Sequence, residues 1–116
     1  MTSPRQGAAM IRRTLPQRRA AETFDPRFWN QLFTVTVGFY ADGTPGEVFI
    51  GGGKTGQDIQ STARDAAVVI SLALQHGVPV ADLRHAVTRD SSGAAASILG
   101  AIADRISTQT FSGDVR

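Results

Sequence analysis

One predicted helix in the middle of the chain carries apolar residues on nearly all of its faces. It follows a short β-favouring run at residues 48–50 and a glycine-rich turn at residues 51–56. Its main apolar stripe, at helical spacing, consists of Ile59, Ala63, Ala66, Ala67, Ile70 and Leu74. The opposite face carries Val68, Val69 and Leu72. A helix that is apolar all round must be covered on nearly all sides, so the rest of the chain or a partner has to pack around it.

The clearest strand pattern lies before this helix, at residues 32–40. Apolar residues alternate there with small or polar ones, which is the period of a half-buried strand. The turn-forming residues 41–46 follow, and they predict that this strand folds back onto residues 47–50 as an antiparallel hairpin. We expect one face of the hairpin to lie on the long helix, and that face consists of Phe33, Val35, Val37 and Phe39.

Two shorter helices are predicted after the long one. Gly77 and Pro79 end the long helix and begin a second helix that runs to about residue 87. Ser91 or Ser92 is predicted to cap the third helix, whose apolar stripe consists of Ala95, Ile98, Leu99, Ile102 and Ile106. The predicted fold class is therefore α+β, an antiparallel β-hairpin packed on a long central helix that is followed by two shorter helices.

Length and composition limit the organisation of the chain. At 116 residues it is predicted to form one domain at residues 24–107, with a basic, partly disordered arm at residues 1–23 and a flexible tail at residues 108–116. The chain has no cysteine, which excludes disulfides, thiolate metal sites and thiol chemistry from these residues. No apolar run is long enough to span a bilayer, so we expect a cytoplasmic protein without a membrane partner.

Charge is distributed unevenly along the chain. Residues 1–27 hold six arginines against two acidic residues, a net charge of +4, whereas the remainder has six basic and eight acidic residues, a net charge of −2. The basic arm has three interpretations: a contact to phosphate or nucleic acid, a strap across an acidic partner subunit, or a solvated tail.

The turn at residues 51–56 invites comparison with a phosphate-binding loop, because glycine amides before a helix bind anions. The Walker spacing fails, since Val48 stands where that pattern requires glycine. A plain glycine turn is one interpretation and an anion site is the other. The candidate phosphate-binding residues are Gly52, Gly53, Lys54 and Thr55 of the turn, together with Arg12, Arg13, Arg18 and Arg19 of the arm.

The sequence offers no catalytic constellation and no metal site. His76 and His85 are predicted to be helix-surface residues, and no spacing of serine, histidine and acid suggests a triad. We therefore expect no catalytic residue, no cofactor and no bound metal. Arg64 and Asp65 enter an otherwise apolar helix, and we expect them to pair with the basic arm.

Several segments together resemble the TSCPD domain. They include Gly-Glu-Val-Phe-Ile at residues 46–50, Arg-Asp-Ala-Ala at residues 64–67 and Ser-Leu-Ala-Leu-Gln-His-Gly-Val-Pro at residues 71–79, and the resemblance covers residues 12–106. That domain is found at the carboxyl end of cobalamin-dependent ribonucleotide reductases and as short stand-alone proteins. This chain lacks the Thr-Ser-Cys-Pro-Asp motif for which the family is named, so a zinc or redox role of that cysteine does not carry over.

The resemblance implies a relation to ribonucleotide reductase without its catalytic barrel. It suggests a non-catalytic accessory or regulatory module that acts in trans on a reductase subunit or on another nucleotide-linked process. A small nucleotide- or phosphate-binding protein, or nucleic-acid binding through the arm, is the alternative. The apolar face at Val68, Val69 and Leu72 further predicts a homodimer or a higher symmetric oligomer, unless a strap formed by residues 11–28 covers it.

Overall fold

The computed structural model describes residues 11–28, 31–51 and 57–107. Within these ranges five strands precede three helices, which confirms the predicted α+β class. The strands are β1 (Ala21–Phe24), β2 (Arg27–Phe28), β3 (Gln31–Leu32), β4 (Thr34–Phe39) and β5 (Pro45–Gly51). The helices are α1 (Gln57–Gln75), α2 (Val80–Ala86) and α3 (Ile98–Ser107).

The predicted hairpin, β4 and β5, forms two strands of a three-stranded antiparallel sheet with the order β1-β4-β5, in which β4 is the central strand. In β4 and β5, Val37 lies opposite Val48, so their side chains share one face of the sheet. Asp42 holds the turn between the strands, because its carboxylate accepts hydrogen bonds from the backbone N–H and the hydroxyl of Thr44. Gly43 in the same turn has φ of +88°, a conformation that favours glycine.

The third strand of the sheet was not predicted. β1 pairs with β4 in antiparallel register, with Phe24 opposite Val35. The hydroxyl groups of Thr23 and Thr36 form a hydrogen bond of 2.9 Å on the outer face. A four-residue strand gives only two alternations of polarity, too few to separate it from an irregular segment by pattern alone.

The core lies between one face of the sheet and the helices. The predicted face of β4 is confirmed, since Phe33, Val35, Val37 and Phe39 are 0 to 2% exposed. α1 packs on this face and buries its predicted stripe, and α3 closes the core from a second side. The buried helix residues are Ala63, Ala67, Ile70 and Leu74 in α1, and Ile98, Ile102, Ala103 and Ile106 in α3.

The predicted cap of the third helix at Ser91 or Ser92 is wrong. The helix begins at Ile98, and the hydroxyl of Ser97 accepts a hydrogen bond from the N–H of Gly100 at 3.2 Å, as an N-cap side chain does. Residues 88–96 form a tight turn instead. The Asp90 carboxylate accepts hydrogen bonds from the backbone N–H groups of Ser92 and Ala94 and from the Ser92 hydroxyl, so this local turn competes with helix formation.

The second apolar face of α1 stays open within a single chain. Val68, Val69 and Leu72 are 55%, 58% and 40% exposed, respectively. The segment at residues 11–28 does not cover them, because its hydrogen bonds and ion pairs are made with other parts of the protein. None of the helices in the described ranges is long and apolar enough to cross a membrane.

Candidate functional site

Residues 11–20 of the basic arm run along the carboxyl end of α1 as an extended segment. The backbone N–H of Arg13 donates to the carbonyl of Gln75 at 2.7 Å, and Arg12 Nε donates to the Gln75 side-chain oxygen. The amide nitrogen of the same side chain donates to the carbonyl of Gly46 in β5 at 2.9 Å. Gln75 is only 5% exposed, so one buried amide joins the arm, the long helix and the hairpin.

Arg13 makes two further contacts with the hairpin. Its guanidinium carbon lies 3.7 Å from the centroid of the Tyr40 ring, and its Nη2 lies 3.3 Å from the Asp42 carboxylate. The Tyr40 hydroxyl donates to the carbonyl of Arg13 at 2.9 Å. Burial raises the pKa of Tyr40, and the nearby cationic Arg13 and Arg12 act in the opposite direction. The phenol is therefore a neutral donor at physiological pH.

A second ion pair holds the arm further along the chain. Arg19 binds the Glu47 carboxylate through Nε and Nη2, and its Nη1 donates to the carbonyl of Pro16. Gly46 beside this pair has no room for a side chain, since a Cβ there would lie 2.5 Å from the Tyr40 ring and 2.8 Å from Leu15. The close approach of the arm to β5 thus requires glycine at this position.

The arm and the body enclose an open cavity of about 360 Å³, lined by Arg12, Arg13, Arg19, Glu47 and Gln75 together with Thr14 and Leu15. Three of the four predicted arm arginines line this cavity, and Arg18 does not. All three bond to groups of the protein itself, and each of these contacts fastens the arm to the body. In this structure these three arginines therefore hold the arm to the body.

The turn half of the predicted phosphate site, Gly52, Gly53, Lys54 and Thr55, lies outside the described residues. Binding of nucleotide by the turn, and of phosphate or nucleic acid by the arm, therefore stays a prediction. The expected pairing of Arg64 and Asp65 with the arm is wrong. Both side chains are exposed, and the arm binds the body at Gln75, Asp42 and Glu47.

The histidines do not assemble a metal centre in the described part of the chain. His76 Nδ1 lies 2.8 Å from the carbonyl of Leu72, and His85 is exposed on α2. No group of three or more metal-ligating side chains occurs within the described ranges.

The contacts that Gln75 and Tyr40 make with the arm were not predicted from the sequence. One signal was available, because Gln75 follows directly after the core residue Leu74 in the last turn of an apolar helix. A polar side chain at such a place needs a buried partner.

A family model for the TSCPD domain matches residues 6–109. The chain belongs to the TSCPD domain family. The match includes the basic arm as well as the sheet and the three helices, so the arm is part of the unit that the family shares. No solved structure matches this TSCPD domain.

Two curated relatives are the vitamin B12-dependent ribonucleotide reductases of Agrobacterium fabrum and Bradyrhizobium diazoefficiens. Each is 34% identical to this TSCPD domain over 77 residues, which are 66% of this chain. The matched region is only 6% of the length of either reductase. The relation to ribonucleotide reductase therefore rests on one small part of those enzymes.

The geometry at Gln75 predicts the effect of Gln75→Leu. The substitution removes the partner of the Gly46 carbonyl and of Arg12, so the free energy of unfolding should fall by about 1–3 kcal/mol. Trypsin should also cleave after Arg12 and Arg13 faster than in the parent protein, as measured by mass spectrometry. Gln17→Leu, at an exposed arm position, is the control and should change stability by less than about 0.5 kcal/mol. Equal stability and cleavage in all three proteins would contradict the role assigned to Gln75.

Proposed function

We propose that this TSCPD domain is a non-catalytic accessory module that acts in trans on a B12-dependent ribonucleotide reductase, and so on the nucleotide supply for DNA replication. The observation that carries the proposal is the match to a region that makes up 6% of two such reductases. The match leaves out the remaining 94% of each reductase. We therefore do not propose that this chain has the activity of the whole enzyme.

The chemistry of the chain supports a non-catalytic role. Ribonucleotide reduction needs a source of electrons, and these 116 residues contain no cysteine that could supply them as a thiol. Arg12, Arg13 and Arg19 of the arm are bonded to the body, and the core is closed by apolar side chains. Among the described residues, the outer sheet face at Phe49 and the open face of α1 are exposed apolar surfaces available to a partner.

The accessory role predicts binding to a reductase. The purified chain should bind the B12-dependent ribonucleotide reductase of its own organism with a dissociation constant in the micromolar range or tighter, as measured by calorimetry, and should change the turnover of that enzyme. A parallel measurement in 0.5 M salt serves as the control, because contacts made only by the basic arm would be screened there. Ribonucleotide reduction by the chain alone with added cobalamin would overturn the proposal, and so would the absence of binding at tens of micromolar.

We further propose that the open face of α1 pairs with the same face of a second copy. Val68, Val69 and Leu72 form an apolar patch on α1, which Asp65 precedes on the helix and His76 follows just after the helix ends. A two-fold axis that places Val69 opposite Leu72 of the partner subunit also places Asp65 opposite His76 of the partner subunit. In this arrangement the apolar residues of one copy meet those of the other, and a carboxylate faces an imidazole at each end of the patch. Full burial of such aliphatic side chains contributes about 1.5–3 kcal/mol each.

The pairing predicts a dimer in sedimentation analysis at tens of micromolar, and Val69→Asp should convert it to a folded monomer. The variant should keep its helical circular dichroism, since Val69 is 58% exposed in the single chain and the new charge would lie in water. Phe49→Asp is the matched control, because Phe49 is 56% exposed on the outer face of the sheet. This substitution should leave the dimer intact. A parent protein that is strictly monomeric at this concentration would refute the pairing.

A further inference from the structure

A second basic corner lies between α2 and the turn at residues 88–96. It encloses an open cavity of about 330 Å³, lined by Arg84, His85, Arg89, Gly93 and Ala81. None of these residues belongs to the arm or to the glycine-rich turn. The corner is therefore separate from the phosphate site that the sequence predicts.

Arg89 forms the fixed wall of this corner. Its five N–H groups all have acceptors: two reach the carbonyl of Arg84, one reaches the carbonyl of Gly93, and two reach the carboxylate of Asp104. The two contacts to the carboxylate are 2.8 and 2.7 Å long. The guanidinium thus joins α2, the turn and α3, and it has no N–H group left for a ligand.

Arg84 differs from Arg89 in its bonding. Within the described part of the chain its side chain makes one hydrogen bond, which Nε donates to Asp104 Oδ1 at 2.9 Å. Its side chain is 46% exposed and lines the cavity. The bond to Asp104 therefore orients the guanidinium, while the four N–H groups of its two terminal nitrogens remain available to a ligand.

The residues that line the cavity include two arginines and no carboxylate. Two guanidinium groups face one carboxylate, and hydrogen bonds from Arg89 and Arg84 hold the pKa of Asp104 well below its usual range, so that Asp104 stays ionised. Asp90, the acidic residue of the adjoining turn, uses its carboxylate for Ser92 and Ala94, and these hydrogen bonds lower its pKa. Asp90 and Asp104 offset the formal charge of the two arginines, but neither carboxylate lines the cavity, so a ligand would meet the free N–H donors of Arg84 and the His85 ring.

We propose that this corner binds a compact oxyanion of the phosphate class, either inorganic phosphate or the phosphoryl group of a small molecule. The planar guanidinium of Arg84 matches the spacing of two phosphate oxygens, and such charge-assisted pairs are the strong ones. A volume of about 330 Å³ lies at the small end of the range for ligand pockets. The site does not depend on the accessory role proposed above.

The two histidines allow a site-specific test by proton NMR. Inorganic phosphate is titrated into the full chain at constant pH and ionic strength, and the C2–H signals of His85 and His76 are followed. The His85 signal should shift and saturate, whereas that of His76, just after the end of α1, should stay in place. A parallel titration with ribose 5-phosphate distinguishes the two sources, because tighter binding than inorganic phosphate indicates the phosphoryl group of a small molecule.

Arg84→Gln should weaken phosphate binding about tenfold or more, since it removes charged hydrogen bonds. Arg64→Gln makes the same change of charge at an exposed position of α1 and should leave the affinity unchanged. His85→Gln, followed by calorimetry, should weaken binding severalfold without touching the bonds of Asp104, and it carries the test if Arg84→Gln does not fold. A His85 signal that does not saturate, or equal affinity in the parent protein, Arg84→Gln and His85→Gln, would overturn the proposal.

Discussion

The contact between one face of the sheet and α1 is the constraint on which the rest of this fold depends. Every second residue of β4 is apolar and lies on that face. The apolar stripe of α1, at helical spacing, packs against these residues. Ser71 fixes the two elements at one point, because its hydroxyl accepts the N–H of Val48 at 2.8 Å and so satisfies a backbone group of β5. The arm and α3 then pack around this two-layer core.

Periodicity made this core predictable. The alternation along residues 32–40 and the stripe from Ile59 to Leu74 indicate both the elements and the faces that meet, and the core supports both. The residues of the second apolar face of α1 were predictable, but the exposure of that face in a single chain was not. Pattern alone cannot tell whether Val68, Val69 and Leu72 are covered within one chain or by another chain.

The parts that could not be predicted depend on single contacts between distant residues. β1 is too short to show a period, and its pairing is set by β4. The start of α3 depends on Asp90, whose carboxylate closes a turn just where a serine cap was expected. The arm is positively charged in the sequence, yet its position is determined by Gln75, more than fifty residues away. Charge composition indicates what an arm can bind but not what it does bind.

Residues 11–20 of the basic arm are a fixed part of this TSCPD domain and not a free tail. Hydrogen exchange of individual backbone amides under native conditions tests this most directly. The N–H of Arg13 donates to the carbonyl of Gln75 and should exchange at least about tenfold more slowly than the N–H of Gln17. Gln17 is an exposed arm residue whose N–H makes no backbone hydrogen bond within the described part of the chain. Equal and unprotected exchange at both positions would contradict the account.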